Sequence, residues 1–275
     1  MNSKKNILSA VILFTMVIAL FGCGSDKNKQ VTAPIEDKVV IVGVTPGANG
    51  EIMDFFKKEA EKQGLKIKVV EFSDYITPNE ALNNGEIDIN AFQHKPFMDN
   101  AVKERGYKIT DIGKTIIAPM ALYSYKIKSL DEIKDGDKMA IPNDTTNGGR
   151  ALLLLQTAKL ITLKDNVGTT PSVNDIIDNP KHLKILELEA AQIPRSLEDM
   201  TFAAVNMNYA IKAKLDPKKD AILVESSDSA YVNVLAVREV DKDNPQLQKF
   251  VQLYRSETVR NFILEQFQGS VIPVF

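Results

Sequence analysis

The sequence predicts an α/β protein of two lobes, each a mostly parallel sheet flanked by helices, with a ligand cleft between them. Three observations predict it. Short apolar runs alternate with stretches of helical period along nearly the whole body of the chain. The runs are continuous rather than alternating, as in strands covered on both faces. The elements from Ser129 to Val224 form a self-contained set, so the chain leaves a first lobe near Leu122–Lys126 and returns near Glu225–Ala230. Two such crossings make a hinge.

The body starts at Lys38. Val39 to Val44 reads as a covered strand, and Glu51 to Gln63 as a helix with Ile52, Phe55, Phe56 and Ala60 on one face, Asn49 as its cap and Gly64 as its stop. Ile67 to Phe72 is the next strand. Thr77-Pro78-Asn79-Glu80 joins a capping box to a proline at the first helical position, so a helix begins there. Ile87 to Ala91 reads as a strand and Pro96 to Arg105 as a helix. Box-like starts recur at Ser129, Ser172 and Ser196, each with an acid three residues on. Short strands follow at Met139–Ile141, Ile185–Leu188 and Phe202–Val205, the last leading into a helix that runs through Ala213. Val232 to Val237 is a strand, and Pro245 to Phe267 is two helices broken near Ser256. Lobe I is therefore residues 38–124 and 228–275, and lobe II residues 125–227.

Ahead of this body stands an export signal. Lys4 and Lys5 precede the apolar run Ile7 to Phe21, which is short for a permanent membrane span. The run ends in Leu20-Phe21-Gly22-Cys23, whose cysteine is the only one of the 275 residues. A lone cysteine makes no internal disulfide, and one directly after a small glycine resembles a bacterial lipobox, in which the thiol is acylated and the cysteine becomes the mature N-terminus. Residues 1–22 then form the signal and residues 23–37 a lipidated, polar tether. The expected location is the extracytoplasmic side of a bacterial membrane, at the cell surface or in the periplasm. The signal takes two of the 34 basic residues and none of the 36 acidic ones, leaving the mature part negative, which disfavours nucleic acid as a partner.

Enzymatic constellations are scarce. The two histidines, His94 and His182, stand in no metal-ligand spacing, and there is no nucleophile elbow or phosphate-binding lysine loop. No catalytic residue, metal or cofactor is expected, and the chain reads as a binder. Gly43 to Gly50 is a glycine-rich strand-to-helix turn that could present amides to an anion, although a plain turn is its commoner meaning. Three segments carry more. Tyr75 follows one strand, and Phe92, His94 and Phe97 follow another; rings on neighbouring loops beyond strand ends make a flat apolar slot suited to a thioether, or else belong to the core. Arg150 follows Asn147-Gly148-Gly149 in the first turns of a helix, facing the positive end of its dipole. Glycines and leucines around it imply a partly buried guanidinium, whose partner is either an internal acid or a ligand carboxylate. Asn206, Asn208 and Asn233 supply amides, which hold both ends of a zwitterion or, for the first two, cap the next helix.

At these segments the sequence resembles the NlpA-type methionine-binding lipoproteins, substrate-binding subunits of methionine ABC importers. The matching strings are Asp74-Tyr75, Asn90-Ala91-Phe92-Gln93-His94-Lys95-Pro96-Phe97, Ile141-Pro142-Asn143-Asp144 with Thr146-Asn147-Gly148-Gly149-Arg150, Ala204-Val205-Asn206 and Tyr231-Val232-Asn233. The resemblance implies a type II periplasmic-binding-protein fold, a monomer that takes methionine and docks on a permease and ATPase complex. It implies Tyr75, Phe92, His94 and Phe97 around the ligand side chain, Arg150 on the carboxylate, and Asn147, Asn206 and Asn233 as further polar contacts; Asn208 is set aside. Ala48-Asn49-Gly50 and Asp228-Ser229-Ala230-Tyr231 depart from the family pattern. The competing expectations are another small ligand, such as a methionine-containing dipeptide or a related amino acid, and an extracytoplasmic enzyme on the same fold.

Overall fold

The structure, a computed structural model, describes residues 38–275. The expected signal, Cys23 and tether lie outside the described residues. Along the chain run β1 (Val40–Val44), α1 (Ala48–Lys62), β2 (Ile67–Glu71), α2 (Thr77–Asn84), β3 (Ile89–Asn90), α3 (Lys95–Arg105), β4 (Ile109–Ile117) and β5 (Ala121–Tyr123). Then come β6 (Lys138–Pro142), α4 (Thr145–Thr157), β7 (Thr162–Leu163), β8 (Ile176–Asp178), β9 (Lys184–Leu188), α5 (Ile193–Ser196), β10 (Phe202–Val205), α6 (Met207–Lys212) and β11 (Ala221–Val224). The chain closes with β12 (Val232–Arg238), α7 (Pro245–Tyr254), α8 (Glu257–Phe267) and β13 (Ile272–Pro273).

The strands form two main sheets, in the orders β13-β4-β12-β3-β1-β2 and β11-β5-β10-β6-β9, with β7 and β8 as a separate pair. β1 pairs in parallel with both β2 and β3, and β6 does so with both β9 and β10. The pairings of β12 and β5 are all antiparallel. Strand directions bear out the expectation of mostly parallel sheets, with antiparallel strands added to each. Most strands of each sheet do point one way, but the strand that enters each sheet from the other lobe is inserted reversed between two of them.

The first crossing is corrected. β5 lies before residue 124 yet hydrogen-bonds to β10 and β11, so the chain leaves the first lobe at Ala118–Met120 and not near Leu122–Lys126. Leu122 and Tyr123 are fully buried there, and three residues are too few for a strand pattern to show. The return lies between β11 and β12, over residues 225–231. No helix of the described residues is long and apolar enough to cross a membrane.

Local chemistry explains most helix ends. Asp144 caps α4 by accepting the Asn147 N–H, Ser256 caps α8 through the Val259 N–H, and Asn244 caps α7 with Pro245 behind it. Three expected caps fall elsewhere. α1 begins at Ala48, so Asn49 is inside the helix, with its Nδ2 donating to Thr45 Oγ1 at 3.1 Å. Thr77 opens α2 without capping it; the Asp74 carboxylate accepts the Ile76 and Thr77 N–H groups. Ser196 ends α5, its hydroxyl donating back to Ile193 O, whereas Ser172 does form a capping box with Asp175. Ser129 precedes a single 3₁₀ turn without a side-chain cap.

Each sheet carries its own core. Val40, Val42 and Val44 of β1 pack with Ile52, Met53 and Phe56 of α1 and with α7 and α8, where the Phe56 ring meets Phe250 edge-on at 4.8 Å. Met139, Ile141, Phe202 and the leucines of α4 fill one face of the second sheet. These two rigid blocks present the C-terminal ends of β1, β2, β3, β6 and β10 to one another, which is where ligands gather in α/β sheets.

Candidate functional site

Between the two sheets lies a cavity lined by residues of both. The connection after β2 brings Tyr75 to it, that after β3 brings Phe92 and His94, and the first turn of α3 adds Phe97. From the other lobe come Asn147 and Arg150 on α4 and Asn206 ahead of α6, while Asn233 enters on β12. All eight residues singled out in the sequence therefore line one space.

One wall is aromatic. The Tyr75, Phe92 and Phe97 rings stand about 6 Å apart, at 6.0, 5.9 and 6.1 Å between centroids, and His94 lies 6.1 Å from Phe97. Such offset and edge-on geometry suits aromatic faces, and leaves a slot lined by polarisable carbon. Burial holds the Tyr75 hydroxyl well above its usual pKa, so it stays a neutral donor, and it donates to Asn208 Oδ1 at 2.6 Å.

The opposite wall is a chain of amides. His94 Nδ1 accepts the Phe97 N–H at 3.1 Å as the cap of α3, so the ring proton sits on Nε2 and is donated to Asn147 Oδ1 at 3.1 Å. Burial, then the Arg150 charge, lowers the His94 pKa to about 3, keeping the imidazole neutral. Asn147 Oδ1 also accepts Asn206 Nδ2 at 2.8 Å, and Asn147 Nδ2 donates to Asp144. This network fixes both amides and leaves Asn206 Oδ1 buried with no donor among the described residues. An orphaned buried acceptor costs about 1–3 kcal/mol until something donates to it.

Arg150 has an internal partner. It is 3 % exposed. Its Nε donates to Glu225 Oε1 at 3.0 Å, and Nη2 donates to Glu225 Oε2 and to Ala118 O. The guanidinium lies over the Tyr231 ring, 4.5 Å from its centroid, where burial raises the phenol pKa to about 12. Nη1 has no hydrogen-bond partner among the described residues, so an acid on one side leaves a free donor on the other.

Several contributors were not singled out. Asn208, set aside on family grounds, lines the cavity, and its Nδ2 reaches Thr45 Oγ1 at 3.4 Å across the lobes. Ala48 and Asn49, the departure from the family pattern, also line it. With Phe97, Asn147 and Met207, they bring the first turns of α1, α3, α4 and α6 to one space, adding positive partial charge. The glycine turn works sterically: Gly47 has φ +82° and a Cβ there would stand 2.1 Å from Asn208 O. Behind Phe92, the side chains of Asn79, Asn90 and Gln93 satisfy one another at 2.7–3.0 Å in the core, holding the β3 connection in place.

Comparison with known proteins finds relatives over nearly the whole described chain. The family model of the NlpA lipoproteins matches residues 40–275. The D-methionine-binding lipoprotein MetQ of Salmonella typhimurium is 49 % identical over 275 residues, covering 99 % of each chain. A nutrient-binding protein of Burkholderia cenocepacia, solved bound to methionine, superposes with a TM-score of 0.84 at 49 % identity, over 86 % of this chain and 100 % of that one. A crystal structure of the methionine-binding protein MetQ gives the same TM-score at 48 % identity, over 87 % of this chain and 99 % of that one.

Proposed function

The chain belongs to the NlpA lipoprotein family, and from that premise we propose that it captures methionine outside the cytoplasm and hands it to an ABC importer. The observation that carries the reading is a single cavity holding three unmet needs. Arg150 Nη1 wants an acceptor, Asn206 Oδ1 wants a donor, and the slot between Tyr75, Phe92 and Phe97 wants apolar, polarisable atoms. The carboxylate, ammonium and thioether of methionine answer them in turn. His94, Asn147 and Asn233 position these groups and complete the polar wall. The amino-acid backbone is held by polar groups of the second lobe and the side chain by rings of the first, so binding ties the lobes together. The thiol of Cys23, acylated, keeps the receptor at the membrane, where its closed form docks on a permease and ATPase complex. The protein binds and releases without chemistry.

Mass action gives the test. A ligand at a hundred times its Kd stabilises the folded state by about 2.7 kcal/mol, which raises the melting temperature of a body this size by roughly 5–10 °C. Residues 23–275 should show that shift with methionine. The absence of any shift with either enantiomer at millimolar concentration contradicts the assignment.

A further inference from the structure

Among the described residues one formally charged side chain lines the cavity, Arg150; His94 is neutral. The charge of Arg150 is cancelled from behind the wall. Glu225 does not line the cavity, yet it takes Nε and Nη2 of the guanidinium. It is fixed in place: its N–H donates to Met120 O at 2.8 Å and its Oε2 accepts the Met120 N–H at 3.1 Å. The side chain is 14 % exposed. The other nearby carboxylate, Asp144, is taken up by the Asn147 N–H, the Asn147 amide and the Thr146 hydroxyl, at the positive end of α4. The ion pair therefore leaves the site with no net charge of its own.

Resting on the methionine reading above, we propose that Glu225 is the positioning residue that sets the charge selectivity of the cavity. It holds Arg150 so that Nη1 faces the ligand, and it neutralises the guanidinium so that a zwitterion, unlike an anion or a cation, leaves the closed site uncharged. An anion entering a neutral cavity lined largely by buried side chains makes it negative, and a cation makes it positive; both are penalised where the effective dielectric is low. Selectivity thus comes from a repulsive element placed against the wrong ligands, beyond the attractive contacts offered to the right one.

The test is calorimetric titration of the wild-type mature protein and of Glu225→Gln with three probes. These are methionine, its 2-hydroxy acid analogue (an anion whose hydroxyl still donates one hydrogen bond) and methionine amide (a cation). The wild type should prefer methionine to both analogues. In Glu225→Gln the preference for methionine over the hydroxy acid should fall by roughly tenfold or more, and the amide should bind more weakly still. A variant that loses affinity for methionine and the hydroxy acid by the same factor overturns the proposal, because that is what a purely structural role gives. If Glu225→Gln does not fold, the wild type decides alone: equal affinity for methionine and the hydroxy acid contradicts a charge-matched cavity. Failure of the wild type to bind methionine at all overturns the functional reading, and this inference with it.

Discussion

Stability and ligand capture can be separated at the Arg150–Glu225 pair. Both side chains are largely buried, 4 % and 14 % exposed, and they share three hydrogen bonds. Replacing Arg150 alone by methionine leaves a buried carboxylate whose remaining partner is the Met120 N–H, and deprives Ala118 O of its donor. Breaking a buried pair in this way costs about 3–5 kcal/mol of stability. Adding Glu225→Gln removes the stranded charge while keeping an acceptor for the Met120 N–H. The double variant should therefore recover to within roughly 1–2 kcal/mol of wild type. Methionine affinity should not recover, since losing the charged partner of the ligand carboxylate costs about 2–5 kcal/mol, or roughly thirty-fold to several-thousand-fold in Kd. Urea unfolding of the ligand-free proteins reads the first quantity and calorimetric titration the second. Wild-type affinity in the double variant would refute Arg150 as the carboxylate clamp. A double variant as unstable as the single one would refute the stranded charge as the source of the loss.

Two further outcomes follow from the polar wall. The folded His94 pKa of about 3 lies below the 6.5 of a free imidazole, so between those values the unfolded chain holds a proton that the folded chain does not. Stability present above pH 6.5 is then lost as pH falls, at up to about 1.4 kcal/mol per pH unit. Urea midpoints between pH 6.5 and 5 should fall more steeply for wild type than for His94→Gln; equal slopes would contradict a buried neutral ring. Tyr75→Phe removes the donor to Asn208 Oδ1, a bond that spans the lobes, and should weaken methionine binding by about tenfold in the same titration, whereas unchanged affinity would mean that the bond does not favour closure.

The residues that sequence reasoning found sit in short strings directly after strands, where type and position together restrict their use. Phe92, His94 and Phe97 fall within six residues, and Asn147 and Arg150 lie one helical turn apart, so both sets reach one space once the strand ends face each other. Glu225 was hidden because nothing in Val224-Glu225-Ser226 distinguishes it, and its partner is 75 residues away. Asn208 carried the same signal as Asn206 and could have been kept. In the fold, long elements with clear periods were legible, α1, α7 and α8 above all. β4 was missed because Thr110, Asp111 and Lys114 interrupt its apolar run, and β5 because it is three residues long. Missing both moved the first crossing by several residues. Strand order and direction depend on which lobe each strand enters from, information that no local pattern carries.

The most direct test is a crystal structure of residues 23–275 grown with methionine. The account predicts one methionine per chain, its carboxylate on Arg150 Nη1, its ammonium donating to Asn206 Oδ1, and its sulfur between Tyr75, Phe92 and Phe97. A methionine with its thioether toward Arg150, or a cavity that stays free of methionine at saturating concentration, would contradict it.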